Sequence, residues 1–401
     1  MVNNNKNILI GVCGGIAAYK IPILVRLFIK QNYNVKLILT KASQNFVTAN
    51  TLAVLSKNQV ITDFFDSNNN WNNHVQLAEW ADVFIIAPLT ANTLAKMATG
   101  NCDNVLLATY LSCKAKTIVA PAMDLEMYQH PSTQNNLKTL NNYNNLIIPA
   151  QTGELASGLF GEGRMAEPED IFNFTLNYFK NQLPLFGKTI LVNAGPTYEA
   201  IDPVRFIGNR SSGKMWIAIA NYFASLGANV NLVLGPSNQK NISTSVNVIY
   251  VESANQMYNE CMNLFEKADI AICSAAVADY TPETVSLQKI KKSDKNLTLK
   301  LVKTKDVLAE MGLKKTNQIL VGFALETENV IENAKQKLIN KNLDLIVANS
   351  ATDTGAGFGN DTNKITIIDK HNKMYNFELK SKELVAKDIV NTLMNLIKNE
   401  I

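Results

Sequence analysis

Short, almost wholly apolar runs recur along this chain, each followed by a stretch with helical spacing, and they form two series. Residues 6–12, 35–40, 83–88 and 117–121 make the first. A strand with one wet face alternates apolar and polar residues, whereas a strand covered on both faces does not. Continuous runs of this length therefore predict parallel sheets sandwiched by helices. The run ending at Val12 passes through Gly14 and Gly15 into a helical pattern over 17–31, the opening of a parallel α/β unit. The theme restarts at 188–193 after Pro184, Leu185, Phe186 and Gly187. It continues through 230–235, 270–274, 319–323 and 343–348, with helical stretches over 254–266 and 329–341. Residues 364–369 and 374–379 flank 370–373 and predict a hairpin before a final amphipathic helix from Glu383. With 401 residues the chain exceeds one ordinary core. The expected fold is α/β, two Rossmann-like domains in series over residues 1–183 and 184–401, with the boundary at 180–187.

Hydrophobic residues make up 47% of the chain and charged ones 18%, a globular balance. The net charge of +4 is too small and too dispersed for a nucleic-acid footprint and leaves small anionic substrates as the expected partners. Five cysteines without CxxC spacing predict neither a disulfide framework nor a zinc site and point to a reducing cytoplasm. Pro22 and Arg26 interrupt the apolar stretch 21–29, so neither a signal peptide nor a membrane span is expected.

Two strand-to-helix junctions carry the candidate chemistry, because unpaired N–H groups and the helix dipole there attract anions. Gly11, Gly14 and Gly15 form the first, suited to a phosphate although without the spaced G-x-G-x-x-G form. Pro88, Thr90, Ala91, Asn92, Thr93 and Lys96 make a polar segment just after a buried strand, where α/β proteins collect ligands. In the second half, Gly195 and Pro196 follow a strand, residues 202–205 make a turn, and Asn209, Arg210, Ser211, Ser212 and Gly213 lead into a helix. Ser274, Ala275 and Ala276 put small residues at a strand end, with Asp279 beyond them as a candidate base or metal contact. Lys289 and Lys291 share a face if extended, and Lys337 and Lys341 lie four apart on a predicted helix, in joint reach of phosphates. Gly355, Gly357 and Gly359 let the loop 351–363 come close to a ligand. His74, one of three histidines, suits proton transfer near neutrality.

Residues 194–215 read AGPTYEAIDPVRFIGNRSSGKM. Upstream stand GGIAAYK at 14–20, His74 within HVQLAEWAD, and APLTANTLAK at 87–96. In this order they resemble the bifunctional phosphopantothenoylcysteine decarboxylase / phosphopantothenate-cysteine ligase family of coenzyme A biosynthesis, over nearly the whole chain. The resemblance implies a flavodoxin-like N-terminal flavoprotein domain whose FMN is contacted by Gly14, Gly15, Ile16, Thr40, Pro88, Thr90, Asn92 and Thr93. It further implies that FMN oxidises the cysteine thiolate to a thioaldehyde able to accept the carbanion left by CO2. His74 then assists thiol deprotonation, and Met123 and Arg164 bind substrate.

For a C-terminal parallel-sheet nucleotide-binding domain, the resemblance implies CTP as activator with Mg2+ on its phosphates. The carboxylate of 4'-phosphopantothenate attacks the α-phosphate, pyrophosphate leaves, and the amine of cysteine displaces CMP. Asn209 matches the residue that holds the acyl-cytidylate, Arg205 helps to bind it, and Lys289 matches the activating lysine. Asp279 is the candidate metal contact of this site, and Ser274, Ala275, Phe323, Lys337, Lys341 and Asn349 are the candidates to shape it around a nucleotide. The resembling family builds its flavin sites between subunits, so a homo-oligomer is expected, trimeric through the N-terminal domain and dimeric through the C-terminal one.

Two positions depart from the family's pattern. PAMDLEMY at 121–128 places Asp124 at the asparagine position and Tyr128 at the tryptophan. An amide there binds the substrate carboxylate, whereas an ionised Asp124 repels it unless protonated or paired. Ser157, in GELASGLFGEGR, stands where a cysteine usually protonates the enethiolate, and a hydroxyl is a far poorer acid than a thiol of pKa about 8.5. Gly153, Gly158, Gly161, Gly163 and Arg164 still match the clamp over the substrate, which favours a proton path rebuilt through water, Ser157 or Glu154. Two other readings stay open on the sequence: a ligase whose decarboxylase half is an impaired flavin-binding oligomerisation module, and an NAD(P)-dependent Rossmann oxidoreductase. The second is disfavoured by the missing G-x-G-x-x-G.

Overall fold

The computed structural model describes residues 6–210, 213–292, 297–350 and 361–400. The chain divides between Lys180 and Asn181 into two compact units. The first opens with β1 (Asn7–Val12), α1 (Ile21–Lys30), β2 (Asn34–Leu39), α2 (Ala49–Ser56), α3 (His74–Trp80), β3 (Val83–Leu89), α4 (Ala91–Thr99) and α5 (Val105–Ser112). It continues with β4 (Lys116–Pro121), α6 (Leu125–Gln129), α7 (Pro131–Asn142), β5 (Leu146–Ile147), β6 (Gln151–Glu154), β7 (Phe160–Arg164) and α8 (Pro168–Asn181). Five of these strands form a parallel sheet in the order β2-β1-β3-β4-β5, the flavodoxin-like doubly wound order, whose direction of winding reverses between β1 and β3.

Ile8, Ile10 and Val12 pack with Leu24, Phe28 and Ile171 on one side of this sheet, and Leu9, Phe84 and Ile86 with Leu94 and Leu106 on the other. Every residue of β3 is buried. This double burial is why the runs show no alternation. The helical pattern over 17–31 divides in two: a 3-10 turn, Ile16–Lys20, precedes α1. Pro22 has no N–H to give to the helical ladder, so the α-helix starts beside it.

The second unit begins with β8 (Thr189–Ala194), β9 (Tyr198–Ala200), β10 (Phe206–Gly208), α9 (Lys214–Ser225), β11 (Asn229–Leu234), β12 (Val246–Tyr250), α10 (Ala254–Phe265) and β13 (Ile270–Cys273). Then come β14 (Tyr280–Pro282), β15 (Leu301–Lys303), α11 (Val307–Lys314), β16 (Ile319–Glu326) and α12 (Val330–Asn340). It closes with β17 (Leu345–Ser350), β18 (Thr362–Asp369), β19 (Met374–Ser381) and α13 (Lys382–Glu400). Its main sheet runs β12-β11-β8-β13-β16-β17-β18-β19, parallel as far as β17, with the hairpin β18–β19 added antiparallel. The winding reverses between β8 and β13. Phe223 and Ile389 cover one face with Ile190 and Val192, while Met257, Phe265 and Met311 cover the other with Leu191 and Leu320. Among the described residues no helix is long and apolar enough to cross a membrane.

Candidate functional site

In each unit a cleft opens at the carboxyl ends of the two strands that flank the reversal, where successive crossovers leave in opposite directions. The cleft of the first unit has a volume of about 770 Å³. Gly14, Gly15 and Ile16 after β1, Thr40 after β2, and Thr90, Asn92 and Thr93 after β3 line one side of it. The turn at Ile16 and helix α4 both start without a side-chain cap, from Gly15 and Thr90. Their first N–H groups are therefore open to an anion. Helix α10, by contrast, starts in a reciprocal capping box of Ser253 and Gln256. A Cβ on Gly14 would lie 2.4 Å from that of Ala42, so bare backbone is required at the turn. Open amides at one end and apolar walls from Ala42, Ala122 and Met165 fit a phosphate-tailed flavin such as FMN.

The facing wall comes from the end of β4, helix α6 and the antiparallel pair β6–β7. Met123, Asp124, Glu154, Ser157 and Arg164 line it. Gly163 has φ +148, and a Cβ there would sit 2.3 Å from the Met123 carbonyl oxygen, whose own N–H donates to the Gly163 carbonyl at 3.0 Å. Only glycine lets the hairpin lie so close. The Asp124 carboxylate accepts the Leu125 N–H at 2.7 Å, capping α6. The Ser157 hydroxyl accepts the Leu159 N–H at 3.4 Å in the hairpin turn. Glu167 takes the buried Lys20 ammonium at 2.9 Å and also pairs with Arg164. The Lys20 hydrogen bond, aided by Arg164 against the cost of burial, holds the Glu167 carboxyl below its ordinary value.

Four expected contacts fall elsewhere. Pro88 lies buried inside β3, behind the cleft wall. Gly11 sits within β1, where its missing side chain makes room for Leu106 and Phe84. Lys96 is ion-paired with Asp103. His74 is the first residue of α3 and does not line the cleft. Its ring meets Trp71 and Phe64 edge-on, and its Nδ1 is buried without a hydrogen-bond partner.

The second unit's cleft, about 800 Å³, lies at the ends of β8 and β13. The buried Asn193 ties these strands together. Its side-chain oxygen accepts the N–H groups of Ser274 at 2.7 Å and Ala275 at 2.9 Å, and the Ser274 hydroxyl donates to the Asn193 carbonyl at 2.6 Å. Asn209 donates to the carbonyls of Ala276 at 3.2 Å and Val277 at 2.9 Å. Helix α9 starts at Gly213, in the left-handed region at φ +73 and without a side-chain cap. On the β16–α12 side, Lys337 donates to the Phe323 carbonyl at 2.7 Å and Lys341 to Asp306 at 2.6 Å. Burial pulls the Lys337 ammonium below the usual lysine range, and Lys341 adds to the effect. Burial also opposes the charge on Asp306, but the Lys341 hydrogen bond and the Ala309 N–H outweigh it and keep that carboxyl low.

The structure thus brings Asn209, Ser274, Ala275, Asp279, Phe323, Lys337, Lys341 and Asn349 to one cleft. Arg205 and Lys289 are outside its wall. The Arg205 guanidinium is bound to Asp202 and donates to the Ile290 carbonyl at 2.6 Å, which makes it part of a turn. Lys289 is exposed in a segment outside any strand. Ser211, Ser212, Gly355, Gly357 and Gly359 lie outside the described residues. Sequence reasoning missed Asn193, Asp306 and Lys382. Of these only Asp306 carried a signal, an aspartate at the start of an apolar helical run, which reads as an N-cap. Among the described residues no three His, Cys, Asp or Glu side chains converge as a metal site.

Residues 2–180 match the family described as Flavoprotein, and residues 185–397 match the DNA/pantothenate metabolism flavoprotein C-terminal domain. The coenzyme A biosynthesis bifunctional protein CoaBC of Bacillus subtilis (strain 168) is 42% identical over 398 residues, 98% of each chain. A cysteine/cysteine sulfinic acid decarboxylase from an unknown prokaryotic organism is 52% identical over 357 residues, 88% of this chain and 99% of its own. The crystal structure of the C-terminal domain of a CoaBC protein is 39% identical and covers 54% of this chain and all of that one, with a TM-score of 0.47. Two switch-point clefts on a flavoprotein unit and a pantothenate-metabolism unit, in the same order as in relatives aligned end to end, place the chain in the family of bifunctional coenzyme A biosynthesis proteins.

Proposed function

We propose that the second unit joins 4'-phosphopantothenate to cysteine using CTP, and that the flavoprotein unit decarboxylates the resulting phosphopantothenoylcysteine to 4'-phosphopantetheine. What carries this reading is the pairing, in one chain of this family, of an apolar cleft with open amides and a cleft whose wall holds the Lys337–Lys341 pair.

In the ligase cleft a carboxylate oxygen attacks the α-phosphorus of CTP and the bond to pyrophosphate breaks. The cysteine amine then attacks the acyl carbon, CMP leaves, and the amine proton passes to solvent. Lys337 and Lys341 offset the phosphate charge, and Asn209, braced on the Ala276 and Val277 carbonyls, holds the acyl group for attack. Asp279, exposed in the cleft, is the carboxylate that would hold Mg2+ on the phosphates, since Mg2+ is commonly bound by one or two carboxylates plus substrate. Arg205 acts by ordering its turn, and Lys289 reaches the site from a second copy.

In the flavoprotein cleft FMN, when bound, supplies the two-electron oxidation and re-reduction that give the departing CO2 an electron sink. The hairpin carrying Ser157 and Arg164 covers the substrate and excludes water, and Ser157 or Glu154 returns the proton. His74, which does not line the cleft of its own chain, takes the thiol proton in the cleft of a neighbouring copy. The test is the full protein with CTP, cysteine, 4'-phosphopantothenate and Mg2+, every product followed by mass. Phosphopantothenoylcysteine should form and then lose CO2. Persistence of that intermediate supports the ligase-only reading, and no CTP-dependent coupling defeats the proposal.

A second reading of the flavoprotein unit takes free cysteine or its sulfinic acid as substrate. It is favoured by the 52% identical decarboxylase of those compounds and by Asp124, whose carboxylate complements an α-ammonium that an acylated cysteine lacks. CO2 release from cysteine, cysteine sulfinic acid and phosphopantothenoylcysteine, compared side by side, separates the two.

A further inference from the structure

Lys382 is the first residue of α13 and only 7% exposed, yet it lines the ligase cleft beside Gly213, Lys214 and Asn363. Among the described residues its ammonium makes no hydrogen bond and no ion pair. The charges that act on it are Asp361 and Lys214, and the Asp361 carboxylate is already engaged by the Lys214 ammonium at 2.6 Å. One carboxylate thus faces two ammonium groups, and burial of the unpartnered one is a standing cost to folding. Beside it, the 12-residue helix α9 starts from left-handed Gly213 with no side-chain cap, so its first N–H groups have no intrahelical acceptor. A buried cation and a row of unfilled amides on one stretch of wall are complementary to a phosphate, which accepts from both.

We propose that Lys382 and the amino end of α9 form a phosphate subsite of the ligase cleft, built from different elements than the Lys337–Lys341 pair. This rests on the ligase reading above, which brings two phosphate carriers to the cleft: the monoester of 4'-phosphopantothenate and the triphosphate of CTP.

The test is Lys382→Met in the full chain, which keeps the aliphatic stem and removes the charge. Titration calorimetry with 4'-phosphopantothenate and with CTP should show affinity for one of them falling about 10- to 100-fold, as for a lost charge-assisted bond. Binding of pantothenate, which has no phosphate, should not change. A loss confined to 4'-phosphopantothenate assigns the subsite to the monoester, and one confined to CTP assigns it to the nucleotide. The variant's melting temperature should hold or rise, because a buried unpaired charge has gone, and Lys382→Arg should retain most of the affinity. Unchanged affinity for both phosphate ligands, or an equal loss for pantothenate, overturns the proposal. Absence of CTP-dependent ligation by the wild type is a separate failure, that of the ligase reading. Inorganic phosphate titrated into wild type and Lys382→Met then tests the subsite alone, and equal binding overturns it.

Discussion

Ser157 and Asp124 are single-residue departures that sit in the wall of the flavoprotein cleft, so each has a measurable consequence. Ser157 lies in the hairpin turn with its hydroxyl already accepting the Leu159 N–H. Ser157→Cys restores a more acidic donor and should raise the turnover of phosphopantothenoylcysteine decarboxylation about tenfold or more, as expected of a better-matched general acid. An unchanged rate would assign the proton to Glu154 or water. Asp124→Asn removes the charge facing a substrate carboxylate. The ratio of kcat/KM for phosphopantothenoylcysteine over free cysteine should rise about tenfold, the scale of one ionic contact, read in a competition assay. Both residues were legible because motif spacing names positions. Their surroundings were not: capping of α6 by Asp124 depends on where β4 ends, and the closeness of Gly163 to Met123 depends on two segments meeting.

At the scale of elements, the long buried strands were readable within a residue or two, because double burial leaves a continuous apolar run, except that β16 runs on to Glu326, three residues past its expected end. The pairs β9–β10 and β14–β15 were not, since three residues are too few to show a period. The turn that joins the first pair makes a pH prediction. Burial opposes ionisation of Asp202, but hydrogen bonds from the Arg205 guanidinium and from the N–H groups of Val204, Ile290 and Arg205 outweigh it and hold its carboxyl well below the ordinary range. A depressed native pKa contributes stability that is complete above the unfolded value, about 3.9, and is lost as pH falls from there toward the native one. The stability gap between wild type and Asp202→Asn, from urea unfolding, should therefore be flat above about pH 5 and narrow in acid. Gly163→Ala belongs to this scale too. It should cost about 1–3 kcal/mol, the price of a strained backbone, and slow decarboxylation while leaving CTP-dependent ligation intact.

For the whole molecule, the residues outside the clefts are as informative as those inside. His74 and Lys289 are absent from the walls that their proposed roles require, and both roles are met if neighbouring copies supply them. A mixture of Asn209→Asp and Lys289→Gln chains, each inactive as a ligase alone, should recover about a quarter of wild-type ligation after subunit exchange. That is the fraction for a twofold pair in which half the assemblies are mixed and carry one intact site. No recovery would place Lys289 in its own chain's cleft. The sequence alone determined the two doubly wound sheets, the glycine turns after β1 and β8, and the order of the two chemistries, because strand burial, turn backbone and motif spacing are local properties. Tertiary structure alone decided which cations are spent on carboxylates, as Lys96 and Arg205 are, and which are left facing a cleft, as Lys382 is. A charge acquires its partner, or fails to, from segments far away along the chain, and no local pattern records that.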